Sequence, residues 1–508
     1  MFSRAVSIYV LIVISIVTSQ ELTWLNGEDT ADQSSTVWGP GGRSGSLSWK
    51  DANGYVWLFG GKGFSDLDNG KPTLLNDLWR YHIFTNTWSL VHPGSVSRMG
   101  SSSHSKSPLP RYLGAGCGVT NLTFIVYGGL GENDEALDDT WVYYIKRRTW
   151  LLLEGSVDVD TTDSDDNHSN ITSINTSSNS TSVLNSSYTD PPESFNVYIS
   201  PGFRGNMASW CLYDSMLVFS GRNNNETLLS DMWKMSFRNL QWEEIVVKNS
   251  TVAPRTGATT WVDRKRVLYM FGGNIVLNSK QIHSTVGYMS DIWMFNQTRQ
   301  TWHLLSGSAK PQIPGQYGRL FGVEYGNIPG CRQGASPFLD SSNNLWLFGG
   351  DGLDTEVDKV YGQSKLLSDF WRFNTQHLQW SWMGGSKIGE AEVRFSSKGE
   401  ISGEALIGGR CDATFWSYSR NKFYLFGGLG HDSHKQDGYL NDLWLVDVER
   451  LVNQSVRVRI GTVILFIIMA ISLVMILAVI SLYARDKNTT FSRLNSNIKY
   501  SHLATNGD

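Results

Sequence analysis

Short apolar runs separated by polar turns make up most of the chain, and their lengths favour β-strands over helices. In the first such unit, the small and apolar residues 44–49 are followed by a polar turn at 50–54 and an apolar run at 55–59. Two further runs, 77–84 and 87–91, flank a second short turn. Runs of this length, bounded by turn residues and rich in aromatic side chains, are typical of strands. The pattern predicts a four-stranded antiparallel unit.

The unit recurs six times, each time with an arginine, an apolar run that ends in Gly-Gly, and then Asp-x-Trp. The arginine precedes the doublet by 17 residues in five copies and by 16 in the third, where Ser-Gly replaces it. A second Trp follows the first after nine residues in five copies. The repeated residues are Arg43, Arg111, Arg204, Arg255, Arg332 and Arg410, then Asp77, Asp139, Asp231, Asp291, Asp369 and Asp442, each two residues before a Trp. One such unit cannot bury its Trp-rich faces alone, so six of them should stack radially as the blades of a β-propeller.

The last copy lacks its fourth strand, and the missing piece lies at the other end of the chain. Residues 23–27, Thr-Trp-Leu-Asn-Gly, resemble the fourth strands of other copies, such as residues 301–305. We therefore expect the N-terminal strand to complete blade six and close the ring, which leaves no open sheet edge.

These residues resemble the kelch-repeat family, whose marks are the Gly-Gly doublet and the paired downstream aromatic residues. The Trp-heavy form with Asp-x-Trp is most similar to the attractin and muskelin type of kelch propeller. The resemblance covers roughly residues 22–447. It implies an all-β, six-bladed kelch propeller, but it implies little about function, because propellers carry many unrelated activities.

Both ends of the chain carry apolar segments that predict export and one membrane span. Residues 1–19 have a basic residue, an apolar core and small residues before a cleavage site, as in a signal peptide; an uncleaved anchor is the alternative. Residues 460–483 are apolar and uncharged, which is enough for a transmembrane helix. The propeller then occupies residues 20–447, a juxtamembrane linker 448–459 and a cytoplasmic, disordered tail 484–508. Positive residues flank the span on both sides, so the signal peptide decides the type I orientation.

Asn-x-Ser/Thr triplets support export, because they are acceptors for N-glycans in the secretory pathway. They begin at Asn121, Asn167, Asn170, Asn175, Asn179, Asn185, Asn225, Asn249, Asn296 and Asn453. Five of them fall within the polar stretch 154–200, which cannot pack a core and is predicted to be a glycosylated disordered loop.

Four cysteines in an exported chain suggest disulfides, and three pairings are open. Cys117 and Cys211 lie in the predicted first strands of adjacent blades, and Cys331 and Cys411 flank the repeat arginine of adjacent blades. We predict those two pairs; buried free thiols are the alternative.

The connections between strands are unequal. Turns such as 51–54 and 264–265 are short, whereas the connections on the opposite face, such as 62–75, 351–367 and 383–409, are long. We call the two faces the short-loop face and the long-loop face. Long loops on a rigid scaffold usually carry binding, so we expect the long-loop face to meet a partner and the short-loop face to lie nearer the membrane.

The six repeat arginines allow two interpretations. They begin the first strands near the axis, where a basic ring would bind an acidic peptide, a sulfate or a sialylated glycan. The repeat aspartates begin third strands at the same end, so Arg–Asp pairs that hold the blades together are the structural alternative. Strict repetition favours the structural alternative, because binding sites are usually asymmetric.

The sequence predicts no cofactor, no metal site and no enzyme. His431 and His434 have a spacing seen in metal sites, but a lone pair of histidines in a loop is a weak signal. A galactose-oxidase-like enzyme is the alternative; it needs histidines and tyrosines that converge on the axis, and no histidine lies in a predicted first strand. A net charge of −4 does not suggest nucleic acid. In the tail, Tyr500 and Leu503 match a tyrosine-based endocytic sorting pattern.

We therefore predict a type I membrane glycoprotein, at the plasma membrane or an endomembrane. Its propeller would bind an extracellular or lumenal protein or glycan partner, as an adhesion, receptor or cargo-binding module.

Overall fold

The computed structural model describes residues 22–66, 70–94, 107–120, 122–155, 199–248, 250–278, 285–355, 363–419 and 421–503. The chain separates into two units. Ser19–Leu451 is compact, and the regular structure of its described residues is β-strand apart from one 3-10 turn, Glu132–Asp134, and the start of a long helix. Val452–Asp508 belongs to a second unit.

The β-unit is built from short strands. The first ten are β1 (Leu22–Asn26), β2 (Arg43–Ser44), β3 (Leu47–Lys50), β4 (Tyr55–Gly63), β5 (Thr73–His82), β6 (Thr87–His92), β7 (Ala115–Thr120), β8 (Thr123–Tyr127), β9 (Thr140–Tyr144) and β10 (Thr149–Glu154). The next ten are β11 (Ala208–Cys211), β12 (Ser215–Phe219), β13 (Met232–Ser236), β14 (Gln241–Ile245), β15 (Thr259–Val262), β16 (Leu268–Phe271), β17 (Asn274–Asn278), β18 (Thr285–Tyr288), β19 (Ile292–Asn296) and β20 (Thr301–Ser306). The last ten are β21 (Arg332–Gln333), β22 (Ser336–Leu339), β23 (Leu345–Gly352), β24 (Lys365–Asn374), β25 (Gln379–Gly384), β26 (Ile401–Ser402), β27 (Arg410–Cys411), β28 (Thr414–Ser419), β29 (Lys422–His431) and β30 (Asp437–Asp447).

These strands form six antiparallel blade sheets, one for each repeat, and a separate two-stranded hairpin, β17–β18, so the predicted all-β six-bladed propeller is confirmed. Blades two and three are meanders of β7–β10 and β11–β14, and blade four uses β15, β16, β19 and β20. In blades one, five and six the first strand is split in two, for example into β2 and β3, and both pieces pair with the second strand.

The second strands of blades one, five and six run through the Gly-Gly doublet instead of ending before it. In blade one, β4 bends between Phe59 and Gly61 and then continues to pair with β5, with Lys62 opposite Leu74. The connection 62–75, expected to be a loop, therefore begins and ends as a β-hairpin that extends from the long-loop face. Similar extensions occur at β23–β24, β29–β30 and the separate hairpin β17–β18.

The doublet is conformationally specific because both glycines have positive φ and lie close to the next blade. A Cβ on Gly60 would approach the Arg111 carbonyl oxygen to 2.7 Å, which is too close for any side chain. The backbone N–H of Gly61 donates to that same carbonyl at 2.9 Å. The doublets of blades two, three and four donate in the same way to the arginine carbonyl of the next blade. The doublet thus joins neighbouring blades.

The hydrophobic core lies between blades, and the second Trp of the repeat explains its constant spacing. Each second Trp packs against the aromatic residue that precedes the doublet of the preceding blade, with ring centroids about 5 Å apart. The pairs are Trp150 with Phe59, Trp242 with Tyr127, Trp302 with Phe219, Trp380 with Phe271, and Trp88 with Phe426. The last pair joins blade one to blade six, so packing continues around the ring.

The N-terminal strand lies in the sheet of the last repeat. Strand β1 pairs with β30, with Thr23 opposite Leu445 and Trp24 opposite Trp444, and with β26 on its other side. The resulting sheet has the order β26-β1-β30-β29-β27.

The helix α1 (Val448–Leu503) has its first four residues in the β-unit and the others in the second unit. Its segment Phe466–Asn488 is long and apolar enough to cross a membrane, and overlaps the predicted span at 460–483. The linker 448–459 is helical too. Residues 484–503 are also helical, although we predicted a disordered tail; no proline or glycine interrupts this stretch, so the backbone hydrogen bonding continues.

Candidate functional site: the axial rim

The repeat arginine, aspartate and Trp meet inside each blade. In blade five, the Arg332 guanidinium forms two hydrogen bonds to the Asp369 carboxylate, at 2.6 and 2.8 Å, and a third to the carbonyl oxygen of Gly349 at 2.9 Å. The indole N–H of Trp371 donates to the same carboxylate at 2.6 Å. One buried ion pair thus connects the first strand, the third strand and the doublet of a blade.

All six blades repeat this arrangement, and the arginines are at most 1% exposed. The pairs are Arg43–Asp77, Arg111–Asp139, Arg204–Asp231, Arg255–Asp291, Arg332–Asp369 and Arg410–Asp442. The interpretation of these arginines as a ligand-binding ring does not fit this structure, because every guanidinium is buried and already bound to a carboxylate. The structural alternative fits, with one difference: each ion pair lies within a blade, and the doublet makes the contact between blades.

Electrostatics agree with a structural role for these pairs. Burial alone would raise the pKa of the Asp139 carboxyl, but the Arg111 guanidinium and the Trp141 indole N–H outweigh it and hold that pKa below its usual value. The pKa of Asp231 is lowered in the same way, with Arg204 and Trp233 overcoming the effect of burial. These carboxylates therefore stay ionised well into acid.

A closed ring of backbone hydrogen bonds surrounds the axis two residues after each repeat arginine. Each N–H donates to the carbonyl of the same position in the preceding blade at 2.8–3.0 Å, and the sixth bond returns to the first residue. All six residues have positive φ, although only three are glycines. The ring consists of Gly45, Leu113, Asn206, Gly257, Gly334 and Asp412. It holds the six first strands around one axis at the long-loop end.

Below this ring lies a channel of about 480 Å³, lined by the first strands of all six blades. Its wall is mostly backbone, small side chains and hydroxyls, with Trp210, Trp261, Phe338 and Phe415 as the aromatic residues. The described residues that line it include no histidine and no tyrosine, so they do not supply the ligand set that the oxidase alternative needs. That the protein is not an enzyme stays a prediction.

Above the ring, the side chains at the axis form what we call the axial rim, and its two halves differ in charge. In the half formed by blades one to three, Asp134 accepts a hydrogen bond from Tyr112 and lies 3.9 Å from the Lys62 ammonium. The Arg222 guanidinium donates to the backbone carbonyl of Asp134 at 2.9 Å. In these contacts two cations lie around one carboxylate-bearing residue.

The half formed by blades four to six holds two carboxylates. Asp351 accepts hydrogen bonds from Tyr288 at 2.8 Å and from Gln333 at 3.2 Å. In the described part of the chain, neither Asp351 nor Asp412 forms an ion pair with a lysine or arginine. Burial and then the charge of Asp351 raise the pKa of Asp412 to about 6. Burial and both carboxylates raise the pKa of the Cys411 thiol well above its usual value, so it is not a reactive thiolate.

Large exposed aromatic residues stand on the long connections. Trp38, in the connection that leads into blade one, is 81% exposed, and Tyr325, before blade five, is fully exposed. The short-loop face also carries exposed aromatics, Phe84 and Tyr213, each at the tip of a short turn.

The predicted cysteine pairs have different outcomes. Cys117 and Cys211 are joined by a disulfide between blades two and three. Cys331 and Cys411 are both buried as free thiols, so the second predicted pair is not formed. The sulfur of Cys331 instead accepts a hydrogen bond from the backbone N–H of Ile313.

Two of the predicted glycosylation sites have described side chains: Asn225 is exposed and Asn296 is half-buried. The side chain of Asn453 and those of the sorting-motif residues Tyr500 and Leu503 lie outside the described set, although all three are in α1. The other predicted acceptors are outside the described residues: Asn121, Asn167, Asn170, Asn175, Asn179, Asn185 and Asn249. These predictions stay untested, as does the glycosylated loop 154–200, of which only the ends are described.

His431 and His434 do not come together as a metal pair. His434 is exposed and contacts Ser433, whereas His431 contacts Glu390 and Asp437. Asp432 organises the loop by accepting hydrogen bonds from the backbone N–H groups of His434 and Gln436. Sequence reasoning missed the partners of His431 because Glu390 lies 41 residues away in another connection.

Comparison with known proteins agrees with this architecture. The model of the KLHDC2/KLHL20/DRC7 kelch-repeats domain matches residues 160–380. The chain contains a kelch-repeat domain. An F-box/kelch-repeat protein of Arabidopsis thaliana is 29% identical over 145 residues, which are 26% of this chain and 27% of that protein. The match thus spans about a quarter of the plant protein's length. Kelch propellers are typically protein-interaction scaffolds. The finer resemblance to the attractin and muskelin type stays a prediction.

Proposed function

We propose that the kelch domain is the recognition module of a type I, single-pass membrane glycoprotein and binds an extracellular or lumenal protein through its long-loop face. The observation that carries this proposal is the exposure of Trp38 and Tyr325 on the long connections. Trp and Tyr are enriched among the residues that dominate binding energy at protein interfaces. Apolar ring surface in contact with water is unfavourable, and a partner that covers these rings would remove that contact.

The charge pattern of the rim indicates how such a partner would be oriented. Its carboxylate-rich half would face a lysine or arginine of the partner, and its Lys62 and Arg222 half would face an acidic group. Complementary charges contribute mainly to specificity and to the rate of association. A glycan partner is the alternative, because exposed aromatic rings also stack on sugars.

Two further features belong to this proposal. We propose that β1 acts as the fourth strand of blade six and closes the ring, which its pairing with β30 supports. We also propose that the apolar segment of α1 anchors the protein in the membrane, which its length and composition support. Exposed Asn225 suits an N-glycan on an exported domain.

The test compares matched aromatic substitutions on the two faces of the full-length protein expressed in cells. Proteins cross-linked to the tagged wild type at the cell surface are identified by mass spectrometry. Trp38→Ala and Tyr325→Ala should each remove the specific partner, whereas Phe84→Ala and Tyr213→Ala should keep it. Equal surface abundance and melting temperature of all four variants serve as the folding control.

Loss of the partner only with Phe84→Ala or Tyr213→Ala would overturn the proposal in favour of the short-loop face. Binding of a glycan array by the purified wild type, abolished by Trp38→Ala, would support the same face with a glycan as ligand.

A further inference from the structure

Three side chains with metal-binding atoms converge on the long-loop side of the last blade. They are Glu390, His431 and Asp437, and one ligand atom from each lies within 4.8 Å of the others. The imidazole of His431 is between the two carboxylates: its Nε2 contacts Glu390 and its Nδ1 contacts Asp437. We call these three residues the His431 cluster.

The backbone fixes the relative positions of the cluster. His431 is the last residue of β29 and Asp437 the first of β30, and the two are directly opposite each other in the hairpin. Glu390 comes from the connection between blades five and six. Its backbone N–H donates to the Leu366 carbonyl at 2.8 Å, and its Oε1 accepts from the Leu366 N–H at 2.9 Å. This anchoring leaves Oε2 directed at the imidazole.

A neutral His431 imidazole cannot donate a hydrogen bond to both carboxylates of the cluster. A neutral imidazole has one N–H, so it donates to one carboxylate and presents a lone pair to the other. Consistent with this, His431 Nδ1 is a buried atom without a hydrogen bond of acceptable geometry. Among the described ion pairs, neither Glu390 nor Asp437 is joined to a lysine or arginine. Two negative carboxylates and one nitrogen lone pair at close range repel one another, and a cation bound between them would remove that repulsion.

We propose that the His431 cluster binds a divalent transition metal, with Zn²⁺ as the ion that best matches one imidazole and two carboxylates. Imidazole nitrogen and carboxylate oxygen are both ordinary zinc ligands, and tetrahedral zinc would keep one position for water. One ring binds a metal through a single nitrogen, so the exposed Asp437 side chain must turn from Nδ1 toward an ion held by Nε2 and Glu390. Ca²⁺ and Mg²⁺ prefer all-oxygen sites, so the imidazole selects against them. Because Glu390 belongs to the connection 385–409 and the other two ligands to β29–β30, the metal ties that connection to the last blade.

The hydrogen bond from Leu366 to Glu390 has a role in such a site. Partners that orient a ligating carboxylate typically contribute about 10–100-fold to metal affinity. The Leu366 N–H engages one oxygen of Glu390 and so leaves the other for the metal.

The experiment measures zinc binding by the purified full-length protein in mild detergent, by competition with a chromophoric chelator in the presence of excess Ca²⁺ and Mg²⁺. Metal content after gel filtration is measured in parallel by plasma mass spectrometry. The ligand variants are His431→Ala, Glu390→Gln and Asp437→Asn. The Asp437 side chain is 75% exposed, so we expect Asp437→Asn to fold even if another ligand variant does not. The matched controls are His434→Ala, in the same loop, and Glu392→Gln, which pairs with Lys435 at the surface.

The wild type is expected to bind one zinc ion with high affinity and to melt at a higher temperature when zinc is added. Each ligand variant should lose at least about tenfold in zinc affinity, while both controls keep wild-type affinity. Zinc affinity should also fall in acid, because the ligating imidazole must be deprotonated.

Stoichiometric zinc binding that survives both His431→Ala and Asp437→Asn would overturn the assignment. So would a wild type that binds no more zinc than Asp437→Asn, which would leave a protonated imidazole as the cation between the two carboxylates.

Discussion

The substitution Asp369→Asn tests the role of the buried Arg–Asp pairs most strictly. The Asp369 carboxylate accepts two hydrogen bonds from Arg332, one from the Trp371 indole and one from the Tyr317 hydroxyl at 2.7 Å, and both members of the ion pair are fully buried. An amide keeps one acceptor oxygen, and its NH₂ group is turned toward donors. The Arg332 charge is then left uncompensated in the interior.

Removing one partner of a buried ion pair costs about 3–5 kcal/mol. Domains are typically stable by about 5–15 kcal/mol, so the loss is a large part of the total. The free energy of unfolding is measured by urea titration with Trp fluorescence. The control is Glu243→Gln, which breaks the surface pair Lys234–Glu243 and should cost less than about 1 kcal/mol. The double variant Arg332→Met, Asp369→Leu should recover much of the loss, because it removes both buried charges.

A cost below about 1 kcal/mol for Asp369→Asn would refute this reasoning. The arginine would then not depend on its aspartate for its place in the core.

Four further predictions follow from individual sites. Trp293→Ala should lower the free energy of unfolding by about 3–5 kcal/mol, since the side chain is buried and its indole donates to the repeat carboxylate; a mild effect in the same titration would contradict its place in the core. The pKa of Asp412 is raised from 3.8 to about 6, so its stabilising contribution is complete below about pH 4 and is lost as the pH rises through 6. Asp412→Asn should therefore stabilise the protein by up to ~3 kcal/mol at pH 7.5 and leave it unchanged near pH 4; equal effects at both values would show that the carboxyl is not perturbed. Non-reducing peptide mapping should recover Cys117 linked to Cys211, and a different pairing would show that blades two and three are not neighbours as described. Tyr500→Ala should slow uptake of surface-labelled protein, and unchanged uptake would remove the sorting motif.

Much of the fold could be predicted from the sequence because each repeat is local and periodic. The apolar runs predicted the strands, and the nine-residue spacing of Trp pairs predicted a packing role. Sequence could also place the repeat Arg and Asp at the same end of the blade. It could not show that each arginine pairs with the aspartate of its own blade. Both residues recur in every copy, so the sequence does not distinguish a partner in the same repeat from one in the next.

The axial ring and the His431 cluster could not be predicted in the same way. Three of the ring positions are glycines, which is a signal for positive φ, but Leu113, Asn206 and Asp412 adopt that conformation without one. The geometry there is imposed by hydrogen bonds between blades. The His431 cluster depends on a connection folding back onto a hairpin, and no periodic pattern specifies that contact.

The extended hairpins also came from the structure alone. Residues after the doublet read as polar loop, yet pairing between β4 and β5 continues past Gly61 because the two chains already run side by side. These hairpins raise the long-loop face around the rim on blades one, four, five and six. The prediction of a partner on that face rests on these projecting hairpins as well as on the exposed aromatic residues.

The most direct test of partner binding on the long-loop face is covalent footprinting of the full-length protein at the surface of intact cells, compared with the purified protein alone. Hydroxyl-radical labelling modifies exposed Trp, Tyr and Phe, so Trp38, Tyr325, Phe84 and Tyr213 report the two faces in one experiment. The account predicts that Trp38 and Tyr325 are protected in cells while Phe84 and Tyr213 are labelled equally in both samples. Protection of Phe84 and Tyr213 with Trp38 and Tyr325 unchanged would contradict it.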